Sequence, residues 1–171
     1  MENDSIDNGQ SLMSRLFFGS RFNYNRKDFF SEVRGVEISK KDFDEYARPI
    51  IYGEVSNRQS EKKELESRVI LNTAINRMTE NQNRKKKTSL KDILTQKGQY
   101  QAYEGEQYNL YKGQDKNVLD EEKKVEINQI LDNIYGEMSK GQFKDNTNNA
   151  FFYQHNEDGS ITYDDTKPFY K

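Results

Sequence analysis

There is no cysteine in this chain. Disulfides, thiolate metal sites and a cysteine nucleophile are therefore excluded. Only one histidine is present, His155. A multi-histidine metal site is thereby ruled out, and a Ser-His-Asp triad finds little to work with. Its own reading is a surface or core histidine. No apolar run approaches the roughly 20 residues that cross a bilayer, so no membrane span is expected. The opening "MENDSIDNGQ" is acidic and polar, unlike a secretory signal. Charge of one sign is also missing. The net charge of -2 creates no general attraction to nucleic acid or membrane.

What is present is polar surface with large aromatic anchors. Of the 171 residues, 32% are hydrophobic and 33% are charged, yet ten Phe and eleven Tyr can fill a core. That balance suits one domain with polar tails. Residues 1 to 10 read as a polar tail. Residues 11 to 38 carry Leu12, Leu16, Phe17, Phe22, Phe29, Phe30 and Val33. Their spacing suggests one or two short amphipathic helices, broken near Gly19 and Gly35. We divide the chain into an N-terminal extension, 1–38, and a main domain, 39–171. The extension either folds onto the domain or docks to a partner.

Ser39 and Asp42 predict a capped helix start. Phe43, Ala47, Ile50 and Glu54 then share one helix face. Pro49 interrupts this pattern with a kink or a new first turn. A second helix is expected over about Ser60 to Met78, with Leu65, Val69, Asn72 and Asn76 on one face. Asparagines on such a stripe need hydrogen-bond partners or a cleft. "TENQNRKKKTS" reads as a loop, and its four cations, Arg84 to Lys87, as solvated or drawn to an anionic polymer. Ser89 and Asp92 cap a short helix with Leu90, Ile93 and Leu94. "QKGQYQAYEGEQYNLYKG" reads as a loop whose tyrosines suit sugar rings as well as cores. Asp120 opens a helix that Gly141 closes. "AFFYQH" predicts a buried strand, and the Asp-Gly of "NEDGSITY" a hairpin turn.

Candidate chemistry falls to carboxylates, amides and tyrosines. Glu54 ends the apolar run "IIYGE". Desolvation there should favour the protonated acid, as a glycosidase needs to protonate a leaving oxygen. The competing reading is a glutamate at the exposed edge of an amphipathic helix. Spacing alone does not choose between them.

Five segments occur in an order that resembles the cell wall hydrolase family of spore-cortex-lytic type: "IIYGE", "VILNTAINRM", "LKDILTQKGQYQAY", "GEMSKG" and "NNAFFYQH". They span roughly residues 44 to 155. The resemblance implies a mainly α, α+β fold, a lysozyme-like helical domain with a small C-terminal β-hairpin or sheet. It implies cleavage of peptidoglycan glycan strands between N-acetylmuramic acid and N-acetylglucosamine by a lytic transglycosylase or muramidase. Glu54 would be the catalytic acid. Gly98, Gln99 and Tyr100 would match the family's Gly-Gln-Phe turn and border the cleft, with Tyr103 beside them. Asn76 and Arg77 match its Asn-Arg pair, and Phe152 and Tyr153 its aromatic strand. No metal or cofactor is implied. The pattern departs after Glu54, where Val55, Ser56, Asn57 and Arg58 replace the family's Ala-Arg-Gly-Glu. Glu104 and Glu106 are the available second carboxylates. A wall-degrading enzyme without an export signal fits a bacteriophage. It would reside in the virion or the host cytoplasm before release and act in the bacterial wall, its extension docking to virion proteins. An inactive lysozyme-like module, binding glycan or building a virion, is the alternative.

Overall fold

The computed structural model describes residues 29–164. The readings for residues 1–28 lie outside them. The described chain is mainly α with a small β part. Two antiparallel strands, β1 (Phe30–Val33) and β2 (Val36–Ser39), come first. A short helix follows, α1 (Lys40–Asp42), then a π-helical turn (Phe43–Ala47) and α2 (Arg48–Val55). The long α3 (Ser60–Asn83) precedes α4 (Leu90–Leu94), α5 (Glu106–Tyr111) and α6 (Glu121–Ser139). Strands β3 (Phe152–His155) and β4 (Ile161–Asp164) close the order as a second, separate hairpin. Among the described residues, no helix is long and apolar enough to cross a membrane.

The structure corrects the helix expected up to Gly35. Val33 pairs with Val36, and Arg34 and Gly35 form the two-residue turn, both at positive φ. That geometry is the primed hairpin turn. The apolar positions Val33, Val36 and Ile38 alternate and are buried, so period two overrides the helical spacing of the phenylalanines. Residues 30–39 therefore belong to the core. Ser31 Oγ lies 3.0 Å from Ser139 Oγ of α6, and Gln82 of α3 donates to the Gly35 carbonyl.

Ser39 caps α1 by accepting from the Asp42 N–H, as its sequence predicts. Pro49 does not kink a helix but sits where a new one starts, the second of the two readings. The π turn ahead of it widens the ladder, with the Arg48 N–H bonded to the Phe43 carbonyl, and Pro49 sits in the first turn of α2. Its missing donor is harmless there. Phe43, Ala47 and Ile50 are fully buried, as their shared face requires.

Helix α3 is the axis of the domain. Every residue from Val69 to Met78 is buried, so this helix has no solvent face over its middle turns. It also continues five residues past the expected end at Met78. Leu65 is the exception to the predicted stripe, being 46% exposed. Around α3 pack Ile50 and Ile51 of α2, Leu90 and Leu94 of α4, and Ile127, Leu131 and Ile134 of α6. Each such side chain contributes on the order of 1.5–3 kcal/mol by leaving water. Arg68 clamps α3 to α6 through two 2.7 Å bonds to the Glu137 carboxylate.

The caps of the later helices match their sequence signals. Ser89 and Asp92 form a reciprocal capping box. Asp120 accepts from the Lys123 N–H. Gly141, at φ 68°, ends α6 while Gln142 donates to the Glu137 carbonyl, the Schellman arrangement. Two expectations change. The stretch read wholly as loop contains α5, seated on Tyr108 and Leu110. The strand read as buried is only half-buried, because β3 and β4 form a two-stranded ribbon with one side in solvent.

Candidate functional site

Glu54 lies on the last turn of α2 and is half-buried. Its Oε1 accepts a 2.9 Å hydrogen bond from the backbone N–H of Ala102. Ala102 belongs to the loop that joins α4 to α5. That loop turns at Gly98, where φ is +77°, and is tightened by the bonds Tyr103 N–H to Tyr100 O and Gly105 N–H to Ala102 O. Its approach depends on Gly53. A Cβ at that position would stand 2.5 Å from the Ala102 Cβ. A glycine inside a helix costs about 1 kcal/mol against alanine. Here it lets a backbone donor reach the neighbouring glutamate.

The predicted residues of this loop divide by depth. Tyr100 is 6% exposed and packs in the core. Burial raises its phenol above the ordinary value, Arg77 pulls it back, and Glu54 adds to the rise. Tyr103 is partly buried with its ring edge against Tyr108, centroids 5.5 Å apart. Gln99 is partly exposed, and Gly98 is exposed at the turn itself. Glu104 and Glu106, the available second carboxylates, are both exposed.

The remaining predicted aromatics lie on β3. Successive residues of a strand point to opposite faces. Phe152 and Tyr153 are therefore separated. Phe152 lies against the Arg77 guanidinium, 4.4 Å from ring centre to Cζ. Tyr153 packs against the core. Burial holds its phenol well above the ordinary value, helped by Tyr100, Glu54 and Glu66. Both Tyr100 and Tyr153 thus remain neutral hydroxyls near Glu54. They can donate as well as accept.

Asn76 is not at this surface. It is buried, and its amide donates to Thr147 Oγ1 at 3.1 Å and the Ala150 carbonyl at 2.9 Å. Its Oδ1 accepts from Arg34 Nη2 at 3.1 Å. Asn72 holds the same loop through the Lys144 carbonyl and Asn146. Arg77 holds its end through the Phe151 carbonyl. The asparagines on the stripe find partners rather than a cleft. An Asn76→Ala variant would take its partner from the buried Ala150 carbonyl and from Arg34 Nη2, while Thr147 Oγ1 would keep Asp145. It should lose about 2–3 kcal/mol of stability, roughly 6–10 °C in thermal midpoint, as calorimetry would show. An unchanged midpoint would remove this role.

Four residues around Glu54 are given no role by the sequence pattern. Ala102 acts through its backbone, which side-chain patterns cannot reveal. Gly53 was visible as a glycine at a helical position. Glu66 and Arg58 form an ion pair across the break between α2 and α3. Glu66 could be suspected only as a glutamate three residues before Val69, on the buried side of α3. Among the described residues, no group of three His, Asp or Glu side chains could hold a metal ion. No family model, no curated protein and no solved structure matches this chain.

Proposed function

We propose that the protein is a peptidoglycan-degrading glycosidase that cleaves the N-acetylmuramic acid to N-acetylglucosamine bond with Glu54 as its single catalytic acid. The observation that carries the reading is the hold on Glu54. One carboxylate oxygen is occupied by the Ala102 N–H, and burial keeps the phenols of Tyr100 and Tyr153, both within electrostatic reach of Glu54, from ionising. With Oε1 engaged, Oε2 is the atom free to carry and deliver a proton.

In this mechanism Glu54 Oε2 protonates the glycosidic oxygen as its bond to the muramyl C1 breaks. Positive charge develops on the sugar ring. The muramyl 6-hydroxyl then attacks C1, its proton passes to Glu54, and a 1,6-anhydro end forms. The acid is regenerated without a second carboxylate, unlike the two-carboxylate schemes. The exposed Glu104 and Glu106 are poorly suited to that second role. Tyr103 and Gln99 offer an aromatic edge and an amide to sugar rings along the loop. The lysozyme-like fold and the setting in a bacteriophage, for wall penetration or host lysis, belong to the same proposal.

Digestion of purified sacculi tests it. Mass spectrometry of the soluble glycan should find 1,6-anhydromuramyl ends. Reducing muramyl ends would replace transglycosylation by hydrolysis. Sacculi that stay insoluble and uncut would overturn the enzymatic reading.

A further inference from the structure

Glu66 is a buried carboxylate for which the acid mechanism has no use. Its side chain is 4% exposed. His155 Nδ1, at the end of β3, lies 3.7 Å from Oε1. Arg58 Nε lies 3.2 Å from Oε2. The Arg58 contact is an ion pair and not an aligned hydrogen bond, since Oε2 has no hydrogen-bond partner. A buried charge of this kind is tolerated only beside an opposite one, so the guanidinium is held where it is.

The rest of Arg58 is differently placed. Its side chain is 44% exposed and makes no other ion pair or hydrogen bond among the described residues. Its own N–H bonds to the Val55 carbonyl at 2.9 Å, which keeps it within one turn of Glu54. A guanidinium has five N–H donors, and two of its edges match a carboxylate. Arg58 therefore presents an anchored cation with unused donors one turn beyond Glu54. An acidic glycan bound beside Glu54 would be favoured by a cation that meets its charge nearby.

We propose that Arg58 is a specificity residue that receives a carboxylate of the substrate glycan, and that Glu66 is the residue that positions it. The inference rests on the glycosidase reading of Glu54. The carboxylate has two possible sources, the lactyl group of a peptide-free muramyl residue or the stem peptide attached to it. Neither is present in a chitin oligosaccharide.

Equilibrium binding distinguishes these. Full-length protein carrying Glu54→Gln, so that probes are not consumed, is titrated with three tetrasaccharides. One is chitotetraose, one is peptide-free muramyl glycan, and one is the same glycan with stem peptides. Adding Arg58→Ala should weaken binding of an acidic probe by about 10-fold, the scale of a hydrogen bond to a charged group, and leave chitotetraose unchanged. The acidic probe that loses affinity identifies the source. Arg58→Lys should restore part of the loss, and raised salt should shrink the difference. Glu66→Gln should show the same selective loss; if it does not, the positioning role falls. Equal weakening of all three probes by Arg58→Ala, or of none, would overturn the specificity role. If the parent protein binds no probe, the glycosidase reading fails and takes this inference with it.

Discussion

Replacing Glu54 with Gln should abolish peptidoglycan clearing by a factor of at least ~100, the usual contribution of a positioned acid. The substitution is close to isosteric. The glutamine carbonyl can still accept the Ala102 N–H that Glu54 Oε1 accepts at 2.9 Å. The loop should stay in place, and the half-buried site should feel no steric change. What is lost is the proton on Oε2. Zymography with wild type and variant side by side reads the outcome, and matching thermal melts show that the fold is intact. Clearing within tenfold of wild type would remove Glu54 from the chemistry. Glu54→Asp offers a second check. It keeps the acid but withdraws it by one methylene, away from the Ala102 donor, so activity should also drop sharply without loss of acidity.

The second large effect is expected from Gly53→Ala. Helix propensity favours the change by about 1 kcal/mol. Contact geometry opposes it. The new Cβ would meet the Ala102 Cβ at 2.5 Å, and both atoms are fixed to backbone. One of the two segments must move by about an ångström, and the loop is the less constrained. The Ala102 N–H then leaves Glu54, and Tyr100 and Tyr103 shift with it. We expect at least a ~100-fold fall in activity, as misplacement of that size produces, with little change in stability. The double variant Gly53→Ala/Ala102→Gly decides the cause. With the Ala102 Cβ gone, the closest remaining atoms are the Ala102 Cα and the Tyr108 N at 3.6 Å, an ordinary contact. Activity should return. A double variant as inactive as the single one would show that Gly53 serves some other purpose.

The two effects also show which parts of the molecule were readable from residues. Periodicity located α2, α3, α4 and α6, because each has strong caps or an apolar face that a core must cover. It failed at β1, where Phe29, Phe30 and Val33 imitate helical spacing while Val33, Val36 and Ile38 alternate around an Arg-Gly turn. It failed again at α5, six residues set among glycines and tyrosines that signal a loop. For the site, Glu54 and the Gly98 to Tyr103 turn do come together. Asn76 does not join them, because an amide on a helix face carries no mark of whether it will serve the interior or a ligand. The Arg58–Glu66 pair was illegible for a different reason. It depends on how the chain reverses between two helices, and no periodic pattern describes that reversal.

Asn76 has a consequence for synthesis. Its amide joins Arg34, near the first described strand, to Ala150, just before the last hairpin. Asn72 and Arg77 likewise wait for residues 144 to 151. During translation the central helix emerges long before these partners do. Until they arrive, the amide nitrogens of Asn72 and Asn76 lack the acceptors that hold them in the folded protein. These contacts therefore cannot form before about residue 150 has left the ribosome. Tyr153 follows later still. On this ordering Ala102 is available to Glu54 well before Tyr153 is, and a chain interrupted between them lacks that part of the site.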